Sequence, residues 1–395
     1  MERRHFLKTV GIASAGATWA QRLRLFDILI KGGEVVDPSR GFRGIADVAV
    51  LDGKIAAIEN SVAADRAIDV VDAKGFYVTP GLVDLHTHIH YGLQLGIEAD
   101  PVAARSGTTT WVDAGTFAQN EVLGFRRFIV EPARARIYGF VYLYPSNRNP
   151  DDDTVKYVQG MMDRTGRMAV ANRDIILGVK LQVGSNMNGR YSLEFLRIAR
   201  RLCDKYELPL MVHISFAPPS TDEVMELMRP GDVVTHCYNA HTLGIVADDG
   251  KIKASVLGAR ARGVLFDVGH GVGSFNFDVA RKALDQGFLP DTISTDIYDL
   301  NIDGPVYDMP TTMSKMISLG MTFDDVLKRS TINPARIIHR VEGMGTLAVG
   351  APADIALLES VKGQFQLIDS QRNRRGTKEK LVSRLTICRG KRLSA

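Results

Sequence analysis

Eight short apolar, β-branched stretches, each closing on a polar residue, recur through the middle of this chain. They end at His86, Asp113, Tyr142, Lys180, His213, His236, Asp267 and Asp296, at intervals of 23 to 38 residues. Helical periodicity fills gaps between them, as at 193–202 and 221–228. Strands alternating with helices at this spacing predict an α/β fold, a (β/α)8 TIM barrel. The C-terminal ends of barrel strands gather at one mouth. Residues as distant in sequence as His86 and Asp296 are therefore expected to be neighbours.

The first of these strands carries an unusual concentration of imidazole. Three of the nine histidines, His86, His88 and His90, alternate within five residues. On a strand, positions two apart share a face, so all three are expected to point the same way. Two neutral imidazoles side by side at a strand end suit a divalent cation such as zinc.

Both ends of the chain read differently from its middle. Short β runs with turns occupy 26–79, including Asp27–Ile30 and Asp47–Leu51 before Asp52-Gly53. The same texture returns at 345–358, 365–368 and 385–388. A small β-sandwich domain built from both termini is expected around the barrel. The expected boundaries are 22–80 and 344–395 for the β domain and 81–343 for the barrel.

Composition narrows the functional class. The 395 residues carry 49 basic and 45 acidic side chains, too even a balance for a nucleic-acid surface. The 45% hydrophobic content fits a globular enzyme. Cys203, Cys237 and Cys388 are far apart and contain no CxxC pair, which excludes a disulfide framework and a cysteine-rich zinc site. Cys237, next to His236, is expected to face away and pack. Residues 1–21 read as a twin-arginine signal peptide, with Arg3-Arg4 and Phe6-Leu7-Lys8 ahead of a weakly apolar run. That places the protein in the periplasm or outside the cell, with the cytoplasm as the alternative. The apolar run is too short and weak for stable membrane insertion.

The ordered set His-x-His, Lys, His, His, Asp resembles the amidohydrolase superfamily of metal-dependent hydrolases, in its deacetylase-like or dihydroorotase-like branch. The lead-in Val78–His86, Asn333-Pro334-Ala335 and Gly350-Ala351-Pro352-Ala353-Asp354 agree with it, and the resemblance covers about Ile28 to Leu358. It implies that His86, His88 and Asp296 hold a more buried metal ion and His213 and His236 a more exposed one. Lys180 would carry CO2 as a carbamate bridging two divalent ions, zinc foremost. A bridging hydroxide would attack the substrate, with Asp296 as the catalytic acid–base.

The resemblance further implies hydrolysis of an amide or ester of a small molecule, with deacetylation or deacylation leading. The alternatives are a cyclic amide hydrolase or a dipeptidase, or a non-catalytic relative. His270, Tyr142, Ser185 and Asn186 are the expected substrate contacts, with Tyr144 and Tyr298 also near the pocket. Asn239 and His241 are read as supporting residues or polar loop. His90 stands where dihydroorotases carry a substrate-binding arginine, which argues against that activity. Arg148 and Arg190 are candidates for a carboxylate anchor or for solvated surface. The partner implied is a small-molecule substrate, with self-association left open.

Overall fold

The computed structural model describes residues 25–143 and 150–394, so the twin-arginine segment, Tyr144 and Arg148 lie outside the described residues. Five strands open the described chain: β1 (Phe26–Asp37), β2 (Phe42–Leu51), β3 (Lys54–Glu59), β4 (Ala67–Asp72) and β5 (Tyr77–Pro80). The centre carries β6 (Leu82–Thr87), β7 (Thr108–Ala118), β8 (Arg136–Tyr142), β9 (Ile176–Val183), β10 (Leu210–Ile214), β11 (Val233–Thr235) and β12 (Leu265–Phe266). The last are β13 (Ile355–Ile368), β14 (Arg374–Cys388) and β15 (Lys391–Arg392).

β6 to β12 pair in sequence order, every pair parallel, with helices in the connections. The eighth expected strand is an extended segment, 292–297, rather than a regular ladder. It nevertheless joins both edges of the sheet. The backbone N–H groups of Val268 and Gly271 donate to the carbonyls of Thr292 and Thr295 (3.1 and 3.0 Å). On the other side Asp296 N donates to His86 O at 2.6 Å and His88 N to Ile297 O at 2.9 Å. A left-handed backbone at Asp296 (φ 49°) interrupts regular pairing here.

Side-chain alternation along β8 divides the interior. Ile137 and Val141 join the main core with helix residues such as Phe195, Leu196 and Leu202. Tyr138 and Phe140 join a second cluster with Val112, Met211 and Ile338, while Tyr142 reaches the mouth. The helix Ser192–Tyr206 turns its apolar stripe inward, burying Phe195, Ile198, Ala199 and Leu202. Ser220 and Glu223 form a reciprocal cap on the helix Thr221–Leu227. All three cysteines are free and buried.

The β domain drawn from both chain ends is one mixed sheet in the order β15-β14-β13-β5-β1-β2-β3, with β4 on β1. Its two halves meet where β13 pairs antiparallel with β5, Ile355 opposite Pro80. Ile28, Val48, Val78, Ile355, Leu357 and Ile387 make its core. The buried Asp37 carboxylate ties the halves again, accepting from Ser39 N and Oγ, Thr346 Oγ1 (2.7 Å) and Leu347 N (2.8 Å). Arg136 at the start of β8 reaches Asp354 at 2.9 Å, joining the barrel to this sheet.

The β13–β14 hairpin is long, and its turn, 369–373, reaches the loop after β12. Asp369 accepts from Phe277 N, Ser370 N donates to Phe275 O, and Asn276 Nδ2 donates to Gln371 Oε1 at 2.7 Å. Replacing Asp37 with Ala strands the buried Leu347 N–H and removes the acceptor of Thr346 Oγ1 across the chain ends. Asp37→Ala is expected to cost about 2–4 kcal/mol of stability, read as a lowered urea midpoint; an unchanged midpoint would remove Asp37 as the tie.

Candidate functional site

The ends of β6, β9, β10 and β11 and the 292–297 segment converge as the spacing predicted. Asp296 Oδ1 lies 3.3 Å from His86 Nε2 and 3.2 Å from His88 Nε2. Lys180 Nζ donates to His86 Nε2 at 3.1 Å and to Ala114 O at 3.1 Å. The rings of His86 and His236 are 4.9 Å apart, and those of His213 and His236 4.3 Å. His86, His88, Lys180, His213, His236 and Asp296 all line one cavity of about 400 Å³. His236 and Asp296 both adopt left-handed backbone (φ 67° and 49°), a conformation histidine and aspartate tolerate better than most residues.

Hydrogen bonds behind the rings fix which nitrogens face forward. Thr235 Oγ1 donates its one proton to Asp267 Oδ2 at 2.8 Å, so at its 2.7 Å contact with His86 Nδ1 it must accept. The His86 proton is therefore on Nδ1, and its Nε2 lone pair faces Asp296. Asp267 is itself buried, and Thr292 Oγ1 and Ser294 Oγ also donate to it (2.6 and 2.7 Å). His236 Nδ1 donates to Gly269 O at 2.6 Å, leaving its Nε2 free. His88 Nδ1 meets Thr116 Oγ1 at 2.8 Å. Such outer contacts orient imidazoles for a cation.

Electrostatics favour the neutral imidazoles a metal requires. Burial, then the nearby Lys180 ammonium, holds His86 well below its ordinary range. Desolvation and Lys180 push His213 down to about 3, and burial with His213 lowers His236. Burial pushes Lys180 itself down to about 8, against the pull of Asp296, Asp267 and Asp113. Below the ring, burial drives Asp84 up to about 7, opposed by hydrogen bonds from Thr295 Oγ1 (2.6 Å) and Thr295 N.

The donor set fits a cation on its geometry. Asp296 Oδ1 is buried and, among the described residues, accepts no hydrogen bond. With the fixed His86 Nε2 it forms a pair of acceptors in contact, which is repulsive unless a positive charge lies between them. Their 3.2–3.3 Å separations match the edge of a tetrahedron with zinc–ligand bonds of about 2.0–2.1 Å. His86, His88 and Asp296 together form a group able to hold a metal ion.

Other expected residues are placed less uniformly. Tyr142 lines the cavity and donates to Gln182 Oε1 at 2.8 Å. Asn186 also lines it, accepting from Ser215 Oγ at 2.7 Å. Ser185 does not: its hydroxyl donates to Ala217 O at 2.8 Å outside the lining. His270 is fully buried and away from the cavity, its Nε2 held by Lys315 Nζ at 2.7 Å. His90 does not share a face with His86 and His88, because β6 ends at Thr87. It stacks instead beside Phe125 and Phe117, ring centroids 5.8 and 6.1 Å away. Asp113 is a shaping residue, accepting from the N–H groups of Ile89, His90, Gly115 and Thr116.

Arg190 bonds Tyr191 Oη at 2.6 Å and lies over that ring, outside the lining. Tyr298 and His241 do line the cavity, and Asn239 Oδ1 accepts from His241 N. Sequence reading passed over Thr235, Thr116 and Gln182. Thr235 directly precedes a candidate ligand on a strand, and Gln182 shares the Lys180 face of β9 two positions on, so periodicity could have found them.

Known proteins resemble the chain over most of its length. Residues 77–393 match the amidohydrolase family. A deacetylase of Brucella anthropi is 35% identical over 81% of this chain and 80% of its own length. A deacetylase of Enterococcus faecalis is 32% identical over 92% and 98%. The crystal structure of a dihydroorotase aligns with TM-score 0.84 at 32% identity, covering 93% of this chain and 97% of that one. That of an adenine deaminase gives 0.84 at 31%, covering 94% and 100%. With its parallel barrel sheet, its β domain from both ends and its histidine–aspartate cluster at the strand ends, this chain belongs to the amidohydrolase family.

Proposed function

We propose that the protein is a metal-dependent hydrolase that removes an acyl group, acetyl foremost, from a small-molecule amide or ester. The observation that carries this reading is Asp296 Oδ1, buried without a donor beside two imidazole nitrogens. Relatives named deacetylase align with most of the chain and support acyl transfer to water as the reaction. Position 90 supports it too, since the residue there is a histidine packed beside Phe117 and Phe125 rather than an arginine open to a ring carboxylate.

His86, His88 and Asp296 would hold one divalent ion, zinc by its donor set, and His213 and His236 a second. When bound, such ions polarise a carbonyl and acidify water. Lys180 is proposed to complete both sites as a carbamate. Its neutral amine adds to the carbon of CO2, forming an N–C bond and releasing one proton. Burial favours that step by shifting the amine toward its neutral form. Asp296 takes a proton from the attacking water and hands it to the leaving amine or alkoxide. Gln182, Tyr142 and Asn186 line the space for the remainder of the substrate.

The purified protein is expected to hold close to two divalent ions per chain by elemental analysis. Lys180→Ala should lose most turnover and regain part of it with short carboxylic acids; wild-type activity in that variant would exclude the carbamate. Asp296→Asn should fold normally yet turn over an N-acetyl or O-acetyl substrate about 10²–10⁴-fold more slowly. Near-native turnover would remove Asp296 from the proton path. Export by the twin-arginine route belongs to the same proposal, carried by Arg3-Arg4. Changing both to lysine should leave the protein in the cytoplasm, and export unaffected by that change argues for another route.

A further inference from the structure

His270 and Lys315 form a buried contact that the proposed chemistry does not use. The segment 267–271 after β12 is threaded between the two halves of the site. Gly269, at φ 47°, gives its carbonyl to His236 Nδ1 at 2.6 Å. A Cβ at Gly269 would lie 2.3 Å from Thr235 Oγ1 and 2.8 Å from His236 Nδ1. Gly271, at φ 54°, presses on the other half, where a Cβ would lie 2.3 Å from Asp296 Oδ2. Only glycine fits either position, so the backbone itself touches the candidate ligands.

His270 lies between these glycines and turns its ring the other way. It stacks on Phe275, with centroids 4.7 Å apart, and its Nδ1 contacts Gly271 O at 2.8 Å. Because Nδ1 donates to that carbonyl, Nε2 is an acceptor, and Lys315 Nζ donates to it at 2.7 Å. Lys315, on the helix Met309–Ser318, is completely buried and also donates to Pro305 O at 2.7 Å. Among the described residues no carboxylate lies within ion-pair distance of it. A methionine of similar length would fill the space without the cost of burying an amine. What methionine lacks is a donor for His270 and for Pro305 O, and of the two only His270 adjoins the candidate ligands. Ser370, from the β13–β14 turn, adds a second tether, its Oγ lying 3.1 Å from His270 O and 3.0 Å from Gly271 O.

We propose that Lys315 and His270 are positioning residues for the metal centre. The Nζ–Nε2 contact fixes the 269–271 backbone so that the Gly269 carbonyl orients His236 and Gly271 confines the Asp296 carboxylate. This rests on the reading of the site as a metal centre. His270 then acts from behind the ligands and never meets substrate.

The test follows release of bound zinc to a chromogenic chelator, alongside kcat and KM on an N-acetyl substrate. Lys315→Met, folded by circular dichroism, should release metal about 10- to 100-fold faster, the range for losing an outer contact to a ligand. Its kcat should fall while KM stays within about twofold. Lys315→Gln keeps a donor without the charge and should recover most of the retention. Ser370→Ala, nearly isosteric, should show a smaller acceleration and decides the question if Lys315→Met does not fold. Wild-type release rates in Lys315→Met, or in Ser370→Ala where the former is unfolded, overturn the proposal. So does a raised KM with unchanged retention, which marks a substrate contact. A wild-type protein that binds no metal overturns the metal-centre reading itself.

Discussion

Two imidazole nitrogens and a carboxylate oxygen converge at the mouth of this barrel, and among the described residues nothing donates a hydrogen bond to that oxygen. His86 Nε2, His88 Nε2 and Asp296 Oδ1 sit within contact distance of one another. Lys180 donates to His86 but not to Asp296 Oδ1. A fold tolerates such crowding of acceptors only if the surrounding structure holds each in place. Much of the local architecture does that. The Asp267 carboxylate collects three hydroxyls and, through Thr235, sets the proton on the far side of His86. Removing any link in that chain frees the imidazole to flip its tautomer and turn a donor toward Asp296.

The same crowding explains why the sheet is least regular where the chemistry is. β11 and β12 are three and two residues long, and the eighth position carries no regular strand. His236 and Asp296 leave the ladder through left-handed backbone. That conformation costs about 1–3 kcal/mol at a non-glycine residue and persists only where neighbours over-determine it. Two buried carboxyls lie beneath, Asp84 and Asp267; burial first, and then the nearness of Asp267, raises Asp84.

Much of this was legible in the sequence because barrel strands repeat. The polar residue closing each strand marked the mouth, and the ordered histidines, lysine and aspartate came together as the spacing required. Alternation failed at His90, since β6 ends at Thr87 and the chain turns before a third imidazole can join its face. His270 misled for a different reason. It follows a barrel strand as a substrate contact should, but its partner Lys315 comes from a helix 45 positions later in the chain. Nothing local announces such a pairing. Ser185 similarly spends its hydroxyl on Ala217, a contact set by how two loops pack. Both chain ends were visible as β texture, whereas the reach of the β13–β14 turn to the mouth was not, because hairpin length says nothing about where a tip lands.

That hairpin has a consequence for how the protein comes into being. Residues 369–371 hold the loop at 275–277, and Ser370 bonds the backbone beside Asp296. In the chain they follow every candidate ligand. A nascent chain that stops short of them already contains every candidate ligand, from His86 to Asp296, yet lacks the brace behind them. The site is therefore braced by residues that are made only after all of its candidate ligands.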